Sequence, residues 1–448
     1  MSESTDRRTG HAVAKAKPAL VQLDVRSFPG PETIHRRELE SGLVVLARQN
    51  QSSPSVVVSG FLEAGAIDDP AGRGGLADIT ASALMRGTQE RSFDQIYESI
   101  ESIGASLGFG AGTTSTSFGG KSLAEDLTVL LSVLEDVIRH PVFPTDQVGR
   151  LRGEKLTALT MRDEDTGSVA QLTFDDLAYP DHPYRFPSDG YRETVGGLNA
   201  AALKAFHRRY YGPRGAVVAV VGAVDPEKAI NAVEKHLGGW KGGPRARRPK
   251  VPGMPPPTQT VRRKVKLEGK SQSDIVLGTP GPSRFDLEFL PAVLGNNILG
   301  RFGLFGRIGD AVREAAGLAY YAYSTLTGGP GPGPWQVIAG VNPANAERAI
   351  ELTLHELKRF VDERVTKQEL TDNQANFIGR LPLQLESNEG VAAALVNIER
   401  YGLGLDYYQR YPGLIASITR DEILEAARRF IDPDKLVIAI AGPEGDPA

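Results

Sequence analysis

The side chains that could carry chemistry are thinly spread along this chain. It has seven histidines and no cysteine. The histidines are His11, His35, His140, His182, His207, His236 and His355. No two lie four residues apart, so no helix presents a paired-imidazole face for a metal. His35 and Glu38 have ligand-like spacing, but they flank an expected strand near the start. His140 and His182 each precede a proline and read as helix-end and loop residues. His207 and His355 fall on amphipathic helices, where packing or exposure is the ordinary fate. The absence of cysteine excludes disulfides, thiolate zinc, cysteine-ligated clusters and a cysteine nucleophile. There is no Gly-x-Ser-x-Gly elbow and no phosphate loop. The glycine- and proline-rich stretch 327–334 lacks the backbone donors of an anion cradle and reads as a long hairpin loop.

The elements that would position any site repeat themselves, with a period near 219 residues. The strand-like run 54–60 is answered by 272–278, and 216–222 by 436–442. In both copies an amphipathic helix runs into a proline, Pro213 or Pro433, nine residues before the closing glycine. Leu127, Leu130, Leu131, Leu134 and Ile138 keep helical spacing behind an expected capping box, Ser122 with Glu125. Ile350, Leu354, Leu357 and Val361 answer them. Ser92 with Gln95 makes a second capping box, and Gly104 ends that helix. The pattern predicts an α+β fold of two homologous α/β sandwich units. Each is a mostly antiparallel sheet with helices on one face, the pair arranged as a clam shell. The expected organisation is a disordered leader (1–31), a first unit (32–245), a Pro- and Arg-rich linker (246–260) and a second unit (261–448).

Two segments stand out. The first contains Gly74-Gly-Leu-Ala-Asp-Ile-Thr-Ala-Ser-Ala-Leu-Met-Arg-Gly-Thr88; the second contains Val312-Arg-Glu314 and Gly317-Leu-Ala-Tyr320. Together with the two-copy layout, they resemble the pitrilysin/insulinase-type zinc metallopeptidases, which include the mitochondrial processing peptidase and bacterial two-subunit enzymes. In that family the first segment reads Gly-Leu-Ala-His-x-x-Glu-His-x-x-x-x-Gly-Thr. Two histidines bind zinc, and the glutamate activates water from the same helix face. Here the frame matches at Gly75, Leu76, Ala77, Gly87 and Thr88, but Asp78, Ala81 and Ser82 occupy the three chemical positions. The family's third ligand would fall near Thr157 and Ala158.

The resemblance implies different things for the second segment. The family places an arginine and a tyrosine seven residues apart, facing the zinc across a chamber, and Arg313 and Tyr320 keep that spacing. Arginine offers a fixed fork of donors, and a tyrosine hydroxyl can donate to a developing oxyanion. By residue type alone, Arg313 would end a helix and Tyr320 would pack in a strand. The resemblance implies a non-zinc-binding subunit of a heterodimeric metallopeptidase, inactive alone, with no cofactor on this chain. Zinc would sit on a homologous partner subunit, and the substrate would be an unfolded peptide. The alternative is a catalytically inert structural or peptide-binding homologue, like the core subunits of respiratory complexes.

Composition agrees with a globular chain: 448 residues, 40% hydrophobic, 24% charged, with net charge −4. That balance gives no basic surface for nucleic acid and no polybasic membrane anchor. The first residues carry no apolar signal core, so a cytoplasmic location is the expectation.

Overall fold

The computed structural model describes residues 23–243, 250–303 and 306–444. Strands β1 (His35–Glu38), β2 (Val44–Gln49), β3 (Ser55–Leu62), β4 (Ser106–Ala111), β5 (Thr116–Leu123) and β6 (Val217–Gly222) form one sheet in the order β1-β2-β6-β3-β5-β4. Strands β7 (Val261–Lys266), β8 (Ser273–Pro280), β9 (Ala319–Leu326), β10 (Pro334–Val341) and β11 (Val437–Gly442) form a second, in the order β7-β11-β8-β10-β9. The orders superimpose once β1 is set aside. Each sheet has a single parallel pair, β2 with β6 and β7 with β11, and is otherwise antiparallel. Each half is therefore a mostly antiparallel α/β unit.

Central strands β6, β8 and β11 are buried along their whole length. Strands of this kind demand cover on both faces. One face of each sheet packs on helices of its own half, in two large cores. These include Leu130, Leu134 and Val218 in the first half and Ile350, Leu357 and Ile440 in the second. The other face is covered by exchange. Helix Thr166–Ala178 leaves the first half and lays Ala170, Phe174 and Ala178 on Val276, Val437 and Ala439 of the second sheet. Helix Asn388–Tyr401 crosses in the opposite direction. It places Val391, Leu395 and Ile398 on Leu46 of β2, Val57 of β3, and Val217, Ala219 and Val221 of β6.

Both exchanged helices are latched at their first turn by buried polar groups. Thr166 Oγ1 donates to Asp274 Oδ2 of β8 at 2.5 Å, and that carboxylate also accepts from the Tyr321 hydroxyl and from Gln272 Nε2. In the other direction, Asn388 Nδ2 donates to the Ser55 carbonyl of β3 at 3.3 Å, while Asn50 Nδ2 donates to Asn388 Oδ1 at 2.7 Å. Buried polar groups are tolerated when they are satisfied in this way.

Several sequence expectations change on contact with the structure. The expected leader 1–31 includes ordered residues, because Val25–Ser27 forms a 3-10 turn and Phe28 is buried; residues 1–22 lie outside the described residues. Of the expected linker 246–260, residues 250–260 carry no helix or strand, and the Pro252 carbonyl is bonded to His182 Nε2 at 3.0 Å. Residues 244–249, with most of the basic cluster, lie outside the described residues. The capping box at Ser122 does not form, since Ser122 is still in β5 and its hydroxyl donates to the Leu123 carbonyl. The box at Ser92 and Gln95 does form.

Candidate functional site

The helix Leu76–Ala83 carries Asp78, Ala81 and Ser82 beside edge strand β4. Its start is fixed by backbone geometry. Gly75 has φ +89, and a Cβ there would stand 2.7 Å from the Asp189 carbonyl, so only glycine fits. The Asp69 carboxylate reaches forward to accept from the Gly75 and Ala77 amides, each at 2.8 Å, satisfying free donors at the helix start. Burial outweighs these bonds and pushes the Asp69 carboxyl up to about 7. At the far end Gly87 has φ +142, and the Thr88 hydroxyl donates to Asp136 at 2.6 Å. The residues flanking the helix thus have structural work of their own.

Between those flanks the chemistry is an ion pair. Lys155, on the long helix Thr145–Glu164, meets Asp78 at 2.5 Å. Burial raises the Asp78 carboxyl and the Lys155 ammonium lowers it, with burial the larger effect. Ala81 is fully buried and offers no donor atom. One carboxylate already paired with an ammonium, a methyl group and a hydroxyl do not fit a zinc ion, which needs three or four nitrogen, sulfur or carboxylate ligands. Among the described residues, no group of three His, Asp or Glu could hold a metal.

Arg313 and Tyr320 sit in the second half, beside its edge strand β9. Arg313 lies in a π-helical stretch, Gly309–Ala315, which packs against β9 and is anchored by buried Val312. Gly317, at φ +64, turns the chain, and the Leu318 amide bonds back to the Val312 carbonyl at 3.0 Å. Tyr320 follows at the head of the strand and is 81% exposed. Arg313 is half-buried and approaches Glu314 at 3.6 Å. A wide helical turn of this kind often marks a functional position. An exposed tyrosine at the head of an edge strand contributes little to packing, contrary to its ordinary fate in a sheet.

The structure pairs Asp78 with Lys155, on the turn that precedes the Thr157 and Ala158 positions expected from the resemblance. Sequence reasoning missed Lys155, Asp69 and the cross-half latches. Helical spacing places Lys155 on the same helix, but only the packing of the two helices says which residue of it faces Asp78. Three of the described histidines have structural partners: His207 Nε2 bonds the Ile138 carbonyl at 2.8 Å, His182 accepts from the Tyr184 amide at 3.1 Å, and His35 pairs with Glu227 rather than Glu38. The stretch 327–334 is a hairpin loop between β9 and β10, closed by the Thr327 amide on the Pro334 carbonyl.

Comparison with known proteins fits this architecture. The insulinase (peptidase family M16) profile matches residues 44–177, and the peptidase M16 inactive domain profile matches residues 197–377. An uncharacterized zinc protease of Streptomyces coelicolor is 26% identical over 99% of this chain and 96% of its own length. One of Mycobacterium bovis is 27% identical over 92% of this chain and 93% of its own. A crystal structure of a peptidase M16 inactive domain from Pseudomonas fluorescens superimposes with TM-score 0.84 at 26% identity, covering 92% of this chain and 98% of that one. A protease from Helicobacter pylori shares the fold, with TM-score 0.86 at 19% identity over 93% of this chain and 100% of that one. The chain belongs to the M16, insulinase-type, peptidase family. Among the described residues, no helix is long and apolar enough to cross a membrane.

Proposed function

We propose that this chain is the non-zinc-binding subunit of a heterodimeric M16 metallopeptidase, built from repeat units 32–245 and 261–448. Alone it is inactive. In the complex, Arg313 binds the substrate backbone, and the Tyr320 hydroxyl donates to the oxyanion that forms at a zinc site on the partner chain. Asp78, Ala81 and Ser82 are the remnants of a zinc motif. The observation that carries this reading is the contrast between the two segments: Asp78 is committed to Lys155, while Tyr320 is held out to solvent at the head of an edge strand. Oxyanion donors act by waiting, already oriented, for charge that develops in the transition state. The relatives named zinc proteases, of matching length, are the kind of partner the reading requires.

The test is metal analysis joined to reconstitution. The purified chain should hold no stoichiometric zinc and cleave no unfolded peptide. Mixed with a homologue bearing His-x-x-Glu-His, it should form a 1:1 complex with peptidase activity. A stoichiometric zinc on the isolated chain contradicts the proposal. A stable 1:1 complex without any gain in activity favours the inert, structural homologue.

A further inference from the structure

A second feature lies away from both segments. A cavity of about 630 Å³ opens between the halves, bounded by the β4–β5 turn on one side and the 327–334 hairpin loop on the other. Two opposite charges face it, one from each exchanged helix. Asp175 comes from Thr166–Ala178 and accepts a hydrogen bond from Gln171 Nε2 at 3.0 Å. Arg400 comes from Asn388–Tyr401, donates to Thr114 Oγ1 at 3.0 Å, and lies over the Phe61 and Tyr401 rings. Among the described residues neither forms an ion pair. Burial pushes the Asp175 carboxyl up to about 7, the expected result for a carboxylate set into a wall without a cation.

The rest of the wall mixes aromatic, glycine and proline residues with polar groups that are held in place. Gln171 and Gln336 exchange side-chain hydrogen bonds at 3.2 and 2.8 Å; with Asp175 also served by Gln171 Nε2, Gln171 keeps acceptor capacity only, while Gln336 keeps one donor and acceptor capacity. The Tyr184 hydroxyl accepts from the Gly331 amide at 3.0 Å and fixes the hairpin loop. The volume falls within the range of about 300–1,000 Å³ usual for small-ligand sites. Each charge keeps capacity for a further partner, and a ligand carrying both opposite charges would supply one to each.

We propose that this cavity binds a small zwitterion, a free amino acid or a short peptide with both termini unblocked, its ammonium at Asp175 and its carboxylate at Arg400. Peptide or side-chain amides of the ligand would meet Gln171 and Gln336. The site is separate from Arg313 and Tyr320 and stands whether or not the trans role does. Because its charges come from opposite halves, an occupant would bridge them.

Isothermal titration calorimetry at pH 8 tests it, with alanine and unblocked oligoalanines of two to five residues as probes. At least one probe should bind saturably at one site per chain. Acetylating its N-terminus, or amidating its C-terminus, should weaken binding by about tenfold or more, the usual consequence of removing one partner of a charged hydrogen bond. Asp175→Asn should abolish the discrimination against the acetylated probe, and Arg400→Gln that against the amidated one. No saturable binding at millimolar probe, or equal binding of blocked and unblocked probes, overturns the proposal. The blocked-probe comparison uses the unaltered chain, so it holds even if a variant folds poorly.

Discussion

The two halves solve one structural problem in two ways. In each, a helix that follows the central strand is bridged to a long helix by a polar pair. In the first half the pair is charged, Asp78 with Lys155. In the second it is neutral, Asn297 on helix Phe289–Gly300 donating to Asn373 Oδ1 on helix Lys367–Gln384. These positions stand one repeat period apart. The fold therefore asks for a polar bridge at this point, and neither a charge nor a metal is needed to supply it. A charged pair carries a larger desolvation penalty than an amide pair.

The largest expected effect comes from breaking the charged pair on one side. Lys155→Ala leaves a largely buried carboxylate without its cation and should lower stability by roughly 3 kcal/mol, read from denaturant unfolding at pH 7.5. The double variant Asp78→Asn with Lys155→Gln imitates the second half and should recover most of that loss. If the double variant is no more stable than Lys155→Ala, the halves are not equivalent at this point. A smaller loss, about 2 kcal/mol, is expected for Asn297→Ala, which strands the buried Asn373 Oδ1 while Asn373 Nδ2 keeps its bond to the Glu369 carbonyl. An unchanged midpoint would show that this bridge is dispensable.

The cavity gives a stability effect of the opposite sign. The Asp175 carboxyl is raised from 3.8 to about 7, so between those values the folded chain holds a proton that the unfolded chain releases. Stability contributed by that proton is lost as pH rises through the window. Asp175→Asn cannot ionise, so it should raise the melting temperature by a few degrees at pH 8 and by much less at pH 4.5. Equal gains at both pH values would mean that packing, not charge, is responsible.

Much of the scaffold was legible in the sequence, and the reason is local. The strands at 54–60, 216–222, 272–278 and 436–442 announce themselves through apolar runs, and the repeat doubles each signal. Gly75 and Gly87 stood out through the frame of the family resemblance, and the structure supplies the physical reason, a positive φ at each. The helix exchange was not legible. Apolar residues such as Phe174 and Leu395 say that a helix has a face to bury, but not which sheet receives it. The same holds for Lys155 and Asp175, whose partners and surroundings are set by packing between distant segments. Ser122 shows the converse error, a capping pattern overruled because β5 runs on through it.

The central claim concerns Tyr320 and Arg313, and turnover of the reconstituted complex tests it most directly. With a His-x-x-Glu-His partner, Tyr320→Phe should lower kcat roughly 10²-fold, the usual effect of losing one oxyanion donor, while KM, zinc content and complex formation stay near wild type. Arg313→Ala should lower kcat/KM with zinc still bound. A Tyr320→Phe complex that turns over at the wild-type rate would contradict the account.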